Sequence, residues 1–309
     1  MNNAVVTGGA GFAGYSLVRS LLIKGFRVVC PVRPGSPHNE RLEALKKDSE
    51  CSEGEIVTFN LDMMDIGMLP RLTMAKGLDL SGCLFFHLAW RGGRDDFDVQ
   101  YANVSCAVEA VSAASRIGAS RIVITGSQAE YGYKAGGTKD PEGNIIPVTE
   151  DAFPEPLNAY GAAKSAAMYL TRDAARHLNL EWNWVRIFSL YGEYEHSGTM
   201  LSYLRRTLMK NVTPSLSSCE QTWDYLDVNE AAEALIAVSE KGVPGEIYNL
   251  ANGDYKPLKE FTESIRKRIN PGIEIDYAET DPENPMLSLR PSVEKIRRDT
   301  NWRAKKPFN

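Results

Sequence analysis

Residues 4–14 read AVVTGGAGFAG, and this glycine-rich turn between a short apolar strand and a helix constrains the chain more than any other stretch. Gly8, Gly11 and Gly14 recur every third residue. That spacing suits a tight turn, a close approach of backbone N–H groups to a phosphate and tight packing of helix on strand. The positive end of the helix dipole favours the anion. Glycine triplets also occur in hairpins, so the flanks decide. Val5 and Val6 precede the turn, and Phe12, Leu17, Val18, Leu21 and Leu22 follow at helical spacing until Gly25. The expectation is a dinucleotide pyrophosphate site at the end of the first strand.

The same alternation continues. Strand-like runs at 4–7, 27–33, 55–60, 83–89, 121–125 and 182–188 are separated mostly by helical patterns. They predict an α/β fold, a doubly wound parallel sheet of the Rossmann kind with helices on both faces. Thr7, Arg33, Ala89 and Thr125 would then end strands at one crevice, where open α/β sheets bind ligands. After Phe188 the pattern loosens. Residues 191–221 hold one helix-like segment, 252–291 are rich in Pro, Glu and Asp, and 223–228 and 246–251 read as strands rejoining the main sheet. The predicted division is a dinucleotide-binding domain of 1–188 plus 223–252, and a smaller substrate lobe of 189–222 and 253–309.

Composition narrows the partners. A net charge of −5 over 309 residues gives no basic footprint for nucleic acid. The longest apolar run, 83–90, contains His87 and falls far short of the ~20 residues of a membrane span. Cys30, Cys51, Cys83, Cys106 and Cys219 are scattered, without CxxC spacing. With no apolar leader before the first strand, they read as reduced thiols of a cytoplasmic protein. The four histidines are dispersed, which argues against a metal site.

Tyr160 and Lys164, in NAYGAAK, stand four apart at the start of a helix-forming run and face the same way. An ammonium beside a phenol favours the tyrosinate, so such a tyrosine can exchange a proton with a substrate oxygen near neutral pH. Tyr-x-x-x-Lys alone is also a common surface pair; the glycine turn tips the reading toward chemistry. Ser127 follows the fifth strand-like run and either offers a hydroxyl to the same oxygen or caps a turn.

Together TGGAGFAG at 7–14, HLA at 87–89, GSQAEYG at 126–132, YGAAK at 160–164, RIFSLYG at 186–192 and WDYLDV at 223–228 resemble the extended short-chain dehydrogenase/reductase family. Within it the chain is similar to the NAD(P)-dependent nucleotide-sugar epimerases, dehydratases and reductases. The resemblance implies a nucleotide-diphosphate sugar substrate and hydride transfer at a sugar carbon. Tyr160 would be the acid/base, Lys164 would also hold the nicotinamide ribose, and Ser127 would be the hydroxyl partner. Gly8, Gly11, Phe12, Gly14, Met63, Leu88, Ala89 and Phe188 would contact the dinucleotide. Asp62 matches an adenine-side aspartate or else caps a helix, and Asn103 matches an asparagine behind the active site or else is a satisfied core amide. Helical runs 98–117 and 159–177 resemble those that pair in the family's four-helix dimer contact, which implies a homodimer.

Departures refine the reaction. Family dehydratases carry an Asp-Glu pair after the hydroxyl residue, where this chain has Gln128 and Ala129, neither able to act as acid or base. An acid is expected at the second strand's end to bond the ribose of NAD; here Arg33 stands there, with Ser36 behind it. A guanidinium pairs with a 2′-phosphate, so NADP(H) is preferred, with NAD(H) left open. The resulting expectation is NADPH-dependent reduction of a nucleotide-diphosphate 4-keto-(6-deoxy)hexose. The alternative is a nucleotide-sugar 4-epimerase, and a remoter one a non-catalytic NADP-binding protein. For the substrate, Ser189 replaces a family asparagine and Trp223 a family arginine. Arg290, or Arg205 and Arg206, could restore the phosphate contact or be solvated charges; Trp90 and Trp223 either stack on sugar or base or pack half-buried. Gln128 and Ser189 complete the expected substrate contacts.

Overall fold

Strands buried on both faces need apolar side chains at successive positions. Val5, Val29 and Phe85 point into one core cluster, while Ala4, Val6, Val28 and Phe86 point into the other, all almost fully buried. Each such valine or phenylalanine contributes about 1.5–3 kcal/mol of transfer free energy. The computed structural model describes residues 1–280 and 286–308. In chain order its principal elements are β1 (Asn3–Thr7), α1 (Phe12–Ile23), β2 (Arg27–Val32), α2 (Asn39–Leu45), β3 (Glu55–Asn60), α3 (Leu69–Ala75), β4 (Leu84–His87), α4 (Phe97–Arg116), β5 (Arg121–Ser127), α5 (Ala159–His177), β6 (Glu181–Ile187), α6 (Met200–Met209), α7 (Val228–Lys241), β7 (Ile247–Leu250), α8 (Leu258–Ile269) and α9 (Glu294–Thr300).

The seven strands form one parallel sheet in the order β7-β6-β5-β4-β1-β2-β3. Helices α1 and α7 pack together on one face, and α4 and α5 on the other. This is the doubly wound Rossmann arrangement, and it brings the carboxyl ends of β1, β4 and β5 side by side. A third apolar cluster, with Leu201, Leu204, Tyr225, Phe261 and Ile265 at its centre, joins α6 to α8 beyond those ends. Of the expected substrate stretch 253–309, residues 281–285 and 309 lie outside the described residues.

One strand expectation is corrected. Residues 246–251 do rejoin the main sheet, as β7, but 223–228 do not. Tyr225–Asp227 pairs in parallel with Ser189–Tyr191, and Thr222–Trp223 pairs antiparallel with Lys256–Pro257. Strand β7 already occupies the edge beside β6. Tyr225 instead packs edge-on against Phe261 at 5.1 Å, and buried Asp224 accepts hydrogen bonds from the Asn252 and Gly253 N–H groups.

Candidate active site

The glycine turn is held by its own backbone: Gly11 N–H donates to the Gly8 carbonyl at 2.9 Å. Gly8 has φ +73°, and a Cβ there would lie 2.9 Å from Ala89 N, so the end of β4 leaves room only for glycine. At Gly14 a Cβ would fall on the Gly8 carbonyl oxygen. Helix α1 begins at Gly11 with no side-chain cap, which leaves its first N–H groups for an anion. These features fit a dinucleotide pyrophosphate.

Two depressions meet at this turn. One is a groove lined by Arg33, Ser36, Asp62, Met63, Leu88 and Ala89; the other is a cleft that includes Phe12, Gly14, Ser127, Gln128, Tyr160 and Lys164. Gly8, Gly11, Leu88 and Trp90 line both. Phe188, Ser189 and Trp223 lie on the cleft's far wall. Asp62 lines the groove, and its Oδ1 accepts from Met64 N–H at 3.0 Å and caps the turn Met63–Met68.

Two of the expected contact residues line neither depression, Asn103 taking its core-amide alternative. Asn103 is fully buried and faces neither depression; its Nδ2 donates to the Arg91 carbonyl at 2.9 Å, so it steadies the loop after β4. Arg290 is likewise absent from the cleft. Its guanidinium donates to the Gly136 carbonyl and to Thr222 Oγ1 at 2.9 and 2.7 Å, tying two chain segments together.

The trio is brought together. Ser127 ends β5, and its hydroxyl donates to Gln128 Oε1 at 2.7 Å while accepting from Ala129 N–H at 3.2 Å, so it is both cap and cleft hydroxyl. Asn158 caps α5 by accepting from Gly161 N–H, which sets Tyr160 in the first turn and Lys164 one turn later. Lys164 Nζ donates to the Thr125 carbonyl at 2.7 Å and lies 3.6 Å from the centre of the Trp90 ring. Trp90 is anchored in turn, its Nε1 donating to Gln100 Oε1 at 2.8 Å.

The electrostatics differ from the sequence expectation. Burial pushes the Tyr160 phenol above its ordinary value, opposed by the Ser127 hydroxyl and the Arg94 charge and reinforced by the Glu130 carboxylate. The Lys164 ammonium is turned to the Thr125 carbonyl and the indole face rather than to the phenol oxygen, and complete burial pulls it down to about 7. An unfolded lysine titrates near about 10.4, so between about 7 and 10.4 the unfolded chain binds the extra proton. Folding stability is therefore expected to rise with pH across that window. Denaturant midpoints should show it, and Lys164→Met should flatten the rise; an unchanged slope in that variant would contradict the depressed lysine.

Sequence reasoning missed Glu130, though it stands within the quoted GSQAEYG. Its side chain is wholly buried; Oε1 accepts from Ser127 N–H at 2.8 Å and Trp184 Nε1 at 2.9 Å, and Oε2 pairs with Arg186 Nε at 2.8 Å. Arg186 also donates to the Tyr131 hydroxyl at 2.7 Å and the Glu150 carbonyl at 3.1 Å. This network fixes the Ser127 backbone from beneath. It also explains Gly126, where a Cβ would collide with the Trp184 indole and the Glu130 carboxylate. The available signal was a lone acid three residues after the strand-ending Ser127.

Among the described residues no cluster of His, Cys, Asp and Glu could hold a metal ion, and no helix is long and apolar enough to cross a membrane. All five cysteines are free and buried. The model of the NAD-dependent epimerase/dehydratase family matches residues 4–251. The chain is 24% identical to UDP-arabinose 4-epimerase 1 of Arabidopsis thaliana, over 99% of its own length and 76% of the relative's. It is 25% identical to the dTDP-6-deoxy-L-talose 4-dehydrogenase (NAD(+)) of Aggregatibacter actinomycetemcomitans, over 89% and 93%. In fold it is similar to a UDP-glucose 4-epimerase of Thermotoga maritima with UDP-glucose, with TM-score 0.81 at 18% identity, over 99% and 94% of the two chains.

Proposed function

Because this chain belongs to the NAD-dependent epimerase/dehydratase family, whose members here are extended short-chain dehydrogenase/reductase enzymes, we propose that it interconverts nucleotide-diphosphate sugars epimeric at C4. The observation that carries this reading is one phenol and one serine hydroxyl in the cleft, with Gln128 and Ala129 rather than an acid pair beside them. The similarity to 4-epimerases supports C4 as the reacting carbon and epimerisation over net reduction.

In this reading the uncapped first turn of α1 takes the pyrophosphate, Asp62 and Met63 lie at the adenine end, and Lys164 holds the nicotinamide ribose. A bound nicotinamide supplies the acceptor and donor for a hydride. As the phenolate, which the Ser127 hydroxyl and the Arg94 charge favour against burial, Tyr160 would take the proton from the C4 hydroxyl as the ketone forms and, as the phenol, return it afterwards, while Ser127 hydrogen-bonds the same oxygen. Trp90, against Lys164, keeps water from the ammonium. Ser189, from the substrate lobe of 189–222 and 253–309, and Trp223, from the returning segment of the dinucleotide-binding domain, close the cleft. A homodimer through α4 and α5 belongs to this reading, supported by exposed Tyr101, Tyr169 and Leu170 on those helices.

The test follows the hydride. Two 4-hydroxy epimers should interconvert with no net change in cofactor absorbance, and deuterium from added labelled dinucleotide should not enter C4. Stoichiometric loss of NADPH with a 4-keto-6-deoxy sugar nucleotide, and deuterium at C4, would instead establish net reduction.

That second reading is kept because of Arg33, which lines the groove with Ser36 and His38 at the end of β2. A guanidinium–phosphate contact is worth on the order of 2 kcal/mol, or roughly 30-fold. NADPH is therefore expected to bind more tightly than NADH, and Arg33→Ala to close the gap in fluorescence titrations. Equal affinities in the unaltered protein would remove the argument for NADP.

A further inference from the structure

We propose that the sugar carries an anionic group next to its reacting carbon, a hexuronate carboxylate being the simplest case, and that Arg94 is the residue that reads it. The proposal rests on the nucleotide-sugar reading above and adds the substrate class. Arg94 sits in the loop between β4 and α4, and that loop is fastened on both sides. Its own carbonyl accepts from Tyr160 N–H at 2.8 Å, and the preceding Gly93 carbonyl accepts from Gln100 Nε2 at 2.9 Å. The exposed guanidinium therefore stands on a fixed stem at the rim of the cleft, 5.8 Å from the centre of the Tyr160 ring.

The other cations near the cleft are engaged. Lys164 is turned to the Thr125 carbonyl, Arg205 pairs with Glu195 at 3.2 Å, and Arg290 is bonded to Gly136 and Thr222. Among the described residues Arg94 forms no ion pair with a carboxylate. The floor beside Tyr160, Ser127-Gln128-Ala129, carries no charge that would repel an anion. Glu195, which lines the cleft, is nearly buried and is held by Arg205 and the Thr199 hydroxyl. Glu130, the carboxylate that acts on Tyr160, is paired with Arg186, so the Arg94 charge beside the phenol has no carboxylate partner among the described residues.

Position selects which anion. If Tyr160 serves the oxygen on C4, a cation beside its ring faces that end of the pyranose, where C5 and its C6 substituent are neighbours. The diphosphate leaves from C1, across the ring. A planar guanidinium matches a carboxylate in two parallel hydrogen bonds.

Isothermal titration of the NAD-loaded protein tests this with glucuronate and glucose, each carried on uridine, thymidine, guanosine and cytidine diphosphate. On the base that binds, the uronate should be preferred by at least about tenfold. Arg94→Ala should bring that ratio to about one, and Arg94→Lys should restore part of it. Because the readout is a ratio within one variant, a general loss of folded protein does not imitate it. Equal affinities in the unaltered protein, or an equal weakening of both sugars by Arg94→Ala, would overturn the proposal, the latter reassigning Arg94 to the diphosphate. Binding of no sugar nucleotide would overturn the nucleotide-sugar reading itself.

Discussion

Tyr160→Phe is expected to slow turnover by about 100-fold or more while dinucleotide affinity changes little. The substitution removes one oxygen from a ring whose packing is set by other groups, namely Trp90 edge-on at 6.2 Å and the backbone bond to Arg94. What is lost is the group that carries the proton. Single-turnover kinetics with the cofactor loaded would separate hydride transfer from binding. Near-normal turnover in this variant would mean that another group moves the proton and would overturn the role given to Tyr160.

Glu130→Ala is expected to lower folding stability by about 3–5 kcal/mol, because it strands the Arg186 guanidinium in the interior without its partner. The Ser127 and Trp184 N–H groups lose their acceptor at the same time. Total stabilities of folded proteins are about 5–15 kcal/mol, so the variant should be marginal at growth temperature. Chemical denaturation followed by circular dichroism gives the loss directly. Glu130→Gln keeps an acceptor for Ser127 but no charge for Arg186, and it should fall between the two. A loss below about 1 kcal/mol for the alanine variant would show that the buried pair is not what holds this corner.

The sheet was readable because its strands are apolar on both faces and bounded by turns. Residues 55–60 were placed correctly to the residue as β3. The fifth strand was read as ending at Thr125, whereas β5 runs on to Ser127 because pairing with β6 continues to Ile187. A serine after a glycine reads locally as a turn, and only the neighbouring strand keeps it extended. The seven residues 83–89 shrank to Leu84–His87, since Leu88 and Ala89 leave the ladder to line the groove. Tyr160 and Lys164 were legible from helical spacing, but their electrostatics were not. Spacing fixes which face a side chain occupies, while the direction of Lys164 depends on the Thr125 carbonyl and the Trp90 ring, both far away in sequence. The Glu130–Arg186 pair was hidden for the same reason, its members standing 56 positions apart. Arg290 misled because a cation looks the same in sequence whether it meets solvent, ligand or two backbone segments.

The crowding over Gly126 limits how this enzyme can change over time. Any side chain at 126 meets both the Trp184 indole and the Glu130 carboxylate. A smaller residue at 184 would open the space, yet it would also remove a donor from Glu130 and loosen the support under Ser127. Each single step away from the present set therefore passes through a damaged protein. The four positions 126, 130, 184 and 186 can drift only as a block, and a laboratory lineage altered one codon at a time is expected to stay trapped with this combination.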